Sequence, residues 1–119
     1  DAETRVALTA LFEPWGDAPV VPEADLEAYA MISAMGPTYF WFQWQTLREL
    51  AGEFGFAQQQ ADETLLKTII GAAECLLASG ETPEGVMDRV PVKPMQSVEA
   101  SLTEAYRANL TALYNKIKN

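Results

Sequence analysis

Few residues in this chain could do chemistry. Histidine is absent, and cysteine occurs once, as Cys75. That removes a Ser-His-Asp triad, a histidine general base and any histidine-ligated metal. Cys75 lies in the apolar run Ile69 to Leu77 and reads as a small core residue, with no imidazole to draw off its proton. The acidic pairs Asp62-Glu63 and Asp25 with Glu27 read as solvent-facing carboxylates. There is no Gly-x-Gly-x-x-Gly, no phosphate-binding loop and no cysteine pair. Two loops remain that could line a site: Ser33 to Thr38 and Val90 to Ser97. At the first, Gly36-Pro37-Thr38 opens a helix and offers free N–H groups to an anion, unless it is a plain helix start.

The elements that must position these loops are helical. After the first loop comes the densest aromatic cluster: Tyr39, Phe40, Trp41, Phe42 and Trp44. Gly36 then Pro37 is a start signal, because proline's missing N–H costs nothing at the first helical position. At about 3.6 residues per turn the five rings point all round the axis. Farther on, Gln45, Arg48, Glu49, Gly52 and Glu53 share a stripe opposite Leu47, Leu50, Ala51 and Phe54. The spacing predicts a helix from Pro37 to about Phe54, stopped by Gly55, whose first half must be covered on every side. A second helix is predicted over Gln58 to Ser79, ending at Gly80, with Glu63 spaced to pair with Lys67. Its apolar residues Leu65, Leu66, Ile69, Ile70, Leu76 and Leu77 spread too widely for a surface helix, and Gly71-Ala72-Ala73 permits close approach of another. Such width in two neighbouring helices implies that a second chain supplies part of the cover.

Shorter elements flank this pair. Thr4 to Phe12 reads as a helix ended by Pro14-Trp15-Gly16, and Ala18 to Pro22 as one β-strand with no second strand to join. Asp25 to Met35 reads as a short helix. Thr82 caps another, with Pro83 in its first position, and Val90 to Pro94 is an extended linker. Ser97 is expected to cap a last helix to about Ile117, striped by Val98, Leu102, Tyr106, Leu110, Leu113 and Ile117. The fold class is all-α, and the orphan strand sets residues 1–22 apart from a helical domain over 23–119.

With 119 residues, 49% hydrophobic and 21% charged, the chain is globular and holds one modest core. A net charge of −9 argues against nucleic acid and against an anionic membrane surface. The early acidic excess (Glu13, Asp17, Glu23, Asp25, Glu27) reads as a solvated face. Ala28 to Leu47 carries no charge and has the length of a membrane span. Gly36-Pro37 breaks it, however, and Ser33, Thr38, Gln43 and Gln45 punctuate it, so a soluble helix–turn–helix is expected. A single cysteine fits a reducing cytoplasm. The charged opening without an initiating methionine reads as a piece of something longer.

An ordered series of motifs adds to this. Ser33-Ala34-Met35-Gly36-Pro37-Thr38-Tyr39-Phe40 resembles the Ser-Gly-x-Gly-Pro-Ala-Tyr turn that opens the C-terminal domain of pyrroline-5-carboxylate reductases. Glu53-Phe54-Gly55-Phe56 stands where that family has a Leu-Gly-Leu-type helix end. Ile70-Gly71-Ala72-Ala73-Glu74-Cys75-Leu76-Leu77 is similar to its Leu-Gly-Ala-Ala-Lys-x-Leu-Leu. Ser79-Gly80-Glu81-Thr82-Pro83 is similar to its Ser-Gly-Glu-His-Pro, and Met87-Asp88-Arg89-Val90 to its Leu-Arg-Asp-x-Val region.

The resemblance implies a helical dimerisation domain in which two chains interlock. Residues 1–22 would be the last helix and strand of a Rossmann-like dinucleotide-binding domain. It also implies reduction of pyrroline-5-carboxylate to proline with NADP or NAD as cofactor of the longer protein. This piece alone would bind no cofactor and be inactive, and the protein would be a cytoplasmic homodimer. Ser33, Met35, Gly36, Pro37 and Thr38, with Gln96 and Ser97 of the second loop, would line the substrate; no catalytic side chain is implied, since placing nicotinamide and substrate together does the work.

The second loop departs from the family. Where the family has Ser-Pro-Gly-Gly-Thr-Thr, whose amides and hydroxyl hold the substrate, this chain has Val92-Lys93-Pro94-Met95-Gln96-Ser97. Pro94 removes an amide donor. Gln96 or Ser97 can replace some hydrogen bonds, and Lys93 can pair with a carboxylate. Two alternatives follow: a non-catalytic helical interaction module, and a related reductase acting on a different imine or keto acid.

Overall fold

The computed structural model describes residues 1–12, 16 and 19–119, and every regular element among them is helical. Helix α1 (Ala2–Phe12) is capped by Asp1, whose Oδ1 accepts the Thr4 N–H at 2.7 Å. Its apolar residues Val6, Leu8 and Leu11 are exposed. Glu13, Pro14, Trp15, Asp17 and Ala18 lie outside the described residues. The strand expected over Ala18 to Pro22 does not form in its described part, Pro19 to Pro22. A strand exists only by pairing with another, and the described residues supply none.

The approach to the first loop differs from the short helix over Asp25 to Met35 and the helix starting at Pro37 that the spacing predicts. A 3₁₀ turn (Glu23–Asp25) leads into α2 (Leu26–Tyr29). A π turn (Ala30–Ala34) follows, then a second 3₁₀ turn (Gly36–Tyr39). After Phe40, helix α3 runs over Trp41–Glu53. The physical reason is Pro37: it lacks an N–H and its ring clashes with the carbonyl four residues back, so no α-helix passes through it. The chain closes ahead of it with an i→i−5 bond, Met35 N–H to Ala30 O at 3.0 Å.

The rest follows the expected punctuation. Gly55, at φ 101, ends α3 in a Schellman motif: Phe56 N–H reaches Ala51 O and Gly55 N–H reaches Gly52 O, each at 3.0 Å. Helix α4 (Gln58–Ala78) ends ahead of Gly80, at φ 76. Thr82 Oγ1 accepts the Gly85 N–H at 3.2 Å and so caps α5 (Pro83–Met87). Helix α6 spans Gln96–Lys118. Ser97 is not its cap. Met95 occupies that position with no side-chain bond, because a turn at Pro94-Met95 starts the helix two residues earlier, with Val98 N–H bonded to Met95 O at 3.0 Å.

Helices α3 and α4 form an antiparallel hairpin in which Ala61 is buried. Arg48 clamps it by a two-toothed bond to Asp62, at 2.5 and 2.8 Å. Glu63 takes the Gln59 amide at 2.9 Å where Lys67 was the expected partner. Arg89 ties α5 back to α4, bonding Glu81 and the Cys75 sulfur. Helix α6 runs antiparallel to the loop region: Met31 and Ile32 lie near Leu110 and Tyr114, and Thr38 and Phe42 near Leu102 and Asn109.

Nothing here amounts to a core. Among the described residues Met31 and Ala61 are the buried hydrophobics, while Trp41 is 62%, Phe42 64% and Leu77 81% exposed. The chain exposes 9991 Å², where a compact protein of its mass exposes roughly 6,400 Å². Its radius of gyration is 18.1 Å, against about 13.5 Å for a compact domain of this length. Helices this bare are not held in water by their own chain; the aromatic half of α3 needs cover from outside it.

The hairpin clamp yields a pH prediction. Hydrogen bonding to Arg48 holds the Asp62 carboxyl below its ordinary value of 3.8, so its contribution to stability is present above 3.8 and is lost as pH falls through the lowered native value. The pair is partly exposed, 38% and 45%, so its effect is small. Urea midpoints of wild type and Asp62→Asn should differ at pH 7 and converge in acid. A gap that stays constant to the lowest pH would mean that the charge is not what the clamp uses.

Candidate functional site

The first loop is held by its own backbone. Met35 O accepts both the Thr38 N–H, at 3.0 Å, and the Thr38 hydroxyl, at 2.6 Å. A hydroxyl has one proton, so Thr38 Oγ1 can still accept a bond but has no second proton to donate. Pro37 has no N–H, and the 3₁₀ turn that it opens is four residues long, too short to build a helix dipole. The anion site read from Gly36-Pro37-Thr38 therefore has fewer donors than its sequence offers. Gly36 is buried, but a Cβ placed on it meets no atom within 4 Å. Ser33 is exposed and Met35 half-buried.

The second loop ends at the start of a real helix. Gln96 and Ser97 stand exposed in the first turn of α6, where 23 residues of aligned peptide dipoles leave partial positive charge. Gln96 N–H is bonded to Lys93 O at 3.1 Å. Among the described residues, neither the Gln96 amide side chain nor the Ser97 hydroxyl has a partner, so both are free to bind. Lys93 is partly spent: its Nζ lies 3.3 Å from Asp88 Oδ1.

One chain does not bring these loops together. Tyr106 contacts the first loop's end at Tyr39, and Gln96 lies ten residues earlier on α6, about 15 Å along the axis. Between the aromatic residues and α6 is an open groove of about 210 Å³, lined by Thr38, Tyr39, Phe42, Leu102, Tyr106 and Asn109. The described residues contain no group of three side chains able to hold a metal. They contain no strand-to-helix glycine loop either.

The sequence reading missed a polar cluster at the foot of the first loop. Tyr39 O accepts from Gln43 Nε2 at 2.6 Å and from the Tyr106 hydroxyl at 3.0 Å. Gln43 Nε2 lies 2.9 Å from Tyr106 Oη, and the Tyr39 hydroxyl donates to Met31 O. The rings of Tyr39 and Tyr106 meet edge-on, with centroids 6.1 Å apart. Two signals pointed there: Gln43 interrupts an aromatic run, and Tyr106 interrupts an aliphatic stripe with a hydroxyl that needs a partner when covered.

Comparison with known proteins adds a lineage to this geometry. Residues 23–115 match the family described as pyrroline-5-carboxylate reductase dimerisation. Pyrroline-5-carboxylate reductase 2 of Bacillus subtilis is 33% identical over 97 residues, 82% of this chain and 34% of that protein. The pyrroline-5-carboxylate reductase of Pseudomonas aeruginosa is 30% identical over 87 residues, 73% of this chain and 31% of that protein. The chain thus spans about a third of the length of these relatives. No solved structure matches it. No helix among the described residues is long and apolar enough to cross a membrane.

Proposed function

The chain belongs to the pyrroline-5-carboxylate reductase family, and from that premise we propose that residues 23–119 are the dimerisation and substrate-site domain of an NAD(P)-dependent reductase that converts pyrroline-5-carboxylate to proline. Residues 1–22 are then the end of its dinucleotide-binding domain, and the exposed apolar residues of α1 pack on the rest of that domain. The protein works in the cytoplasm as a homodimer.

The observation that carries this reading is the missing core. A standard interface buries about 1,600 Å² in total, whereas one copy here exposes roughly 3,600 Å² more than a compact chain of its mass. A second copy interlocked through α3, α4 and α6 provides cover on that scale. It also provides what one chain lacks, a second set of loops to complete a site.

Bound in the rest of the longer protein, NAD(P)H would supply the hydride, and a proton from water would complete the reduction of the imine to an amine. The work of this chain is binding, orientation and exclusion of water. The free Gln96 and Ser97 groups at the start of α6 receive the substrate carboxylate, and the backbone at Gly36 forms the opposite wall. With Pro94 lacking an N–H and Lys93 paired to Asp88, this loop also favours a second reading: the same fold reducing a different imine or keto acid. A non-catalytic interaction module is the third, distinguished by the residues ahead of Asp1, where a strand followed by Gly-x-Gly-x-x-Gly supports the reductase.

The decisive experiment is NADPH and NADH oxidation by the full-length protein with pyrroline-5-carboxylate. Turnover is expected; NADPH binding without turnover would move the protein to the second reading. Gly36→Ala should fold normally and raise KM for the substrate about tenfold, because the new methyl fills empty space and blocks an approach; an unchanged KM would remove Gly36 from the site. Trp41→Ala should weaken the dimer at least thirtyfold, a loss of about 2 kcal/mol or more, before the helices unfold. Sedimentation showing an unchanged dimer would mean that the aromatic cluster faces elsewhere.

A further inference from the structure

We propose that Tyr106 and Gln43 are positioning residues that set the geometry of the Ser33–Thr38 loop through the carbonyl of Tyr39; the proposal rests on the reading of that loop as a wall of the substrate site. The Tyr39 carbonyl sits at a break. The 3₁₀ turn ends with Phe40 N–H on Pro37 O at 3.1 Å, and the α3 ladder begins with Trp44 N–H on Phe40 O at 2.9 Å. Between these two bonds the Tyr39 carbonyl is passed over, a helix-end acceptor in need of donors. Gln43 Nε2 and the Tyr106 hydroxyl supply them. A part-buried carbonyl that lost both would be left poorly solvated at a definite cost.

Tyr39 is also the handle of the loop. Its hydroxyl reaches back to Met31 O, at the π turn, and Met31 is one of the two buried hydrophobics among the described residues. Tyr39 therefore spans the loop from end to end, holding the π turn by its hydroxyl and the start of α3 by its carbonyl. The side chain that fixes the carbonyl from outside comes from α6, sixty-seven residues later. Gln96 and Ser97 lie at the start of the same helix. One rigid rod thus bears on both loops, and sliding or tilting α6 moves the Tyr39 anchor together with the second loop.

Tyr106→Phe in the full-length enzyme tests this, since it keeps the edge-on ring contact and deletes the hydroxyl alone. Hydrogen exchange should show faster amides at Thr38 and Phe40 with α4 unchanged. KM for pyrroline-5-carboxylate should rise about five- to tenfold with kcat and NADPH KM retained, the size expected of one hydrogen bond. Gln43→Leu should act in the same direction, and the double variant should fall short of the product of the two, as members of one network do. Unchanged exchange at Thr38 and Phe40 would overturn the latch. Faster exchange with an unchanged KM would overturn its role in positioning substrate. Failure of the underlying functional reading shows instead in the wild type, as absence of turnover.

Discussion

An amphipathic helix in water is stable only while its apolar side is pressed against something, and one copy of this chain presses almost nothing together. Among the described residues, all hydrophobics but Met31 and Ala61 are left half-covered or bare. The rings of Trp41 and Phe42 and the side chains of Leu66 and Leu77 on α4 are mostly bare. In the proposed homodimer, folding and association are one event, because the free energy that orders the backbone comes from contacts a lone copy does not make. Every local device, from the Asp62 clamp to the Thr82 cap, is a small correction to a structure whose main support lies outside the chain.

That dependence also explains where the site can be. Its two loops lie at different levels of α6, too far apart to grip one small molecule within a single copy. In the proposed homodimer, a domain that shares its core with a partner shares its site in the same way. The polar groups at each loop are unequal. The first spends its hydroxyl and most of its amides on holding itself rigid, whereas the second leaves Gln96 and Ser97 unengaged. In the proposed function the rigid wall and the free donors serve a small substrate, and a net charge of −9 argues against nucleic acid.

Much of this was legible in the sequence. The long helices showed because period and punctuation agree: Gly55 and Gly80 stand where the pattern of α4 begins and ends, and Thr82-Pro83 announces α5. The excess width of the apolar faces, read from the spacing, reappears in the structure as exposed Leu66, Ile70 and Leu77 on α4. The run from Asp25 to Phe54 was misread because α, π and 3₁₀ turns differ by which carbonyl an amide chooses. Pro37 and the Tyr39 hydroxyl make that choice, and composition does not. Glu63 with Lys67 was a local bet that lost to another local pair, with Gln59 one turn earlier on the same helix. The strand at Val20-Val21 was read from residue type, but a strand also needs a neighbour. The two loops were legible as loops, but their separation was not, since it depends on how far α6 rises between them.

The π turn bears on how this chain can vary in length. Each residue of an α-helix swings the next side chain by about 100°, so removing one residue from the middle of α4 would rotate half its face away from whatever it meets. The turn Ala30–Ala34 instead holds one residue more than an α turn needs. Losing a residue there lets the bulge close into ordinary helix while α2 and the loop beyond keep their facing. The approach to the first loop thus carries slack that the middle of α4 lacks, and a one-residue deletion is absorbed there with less disturbance to the facing of its neighbours.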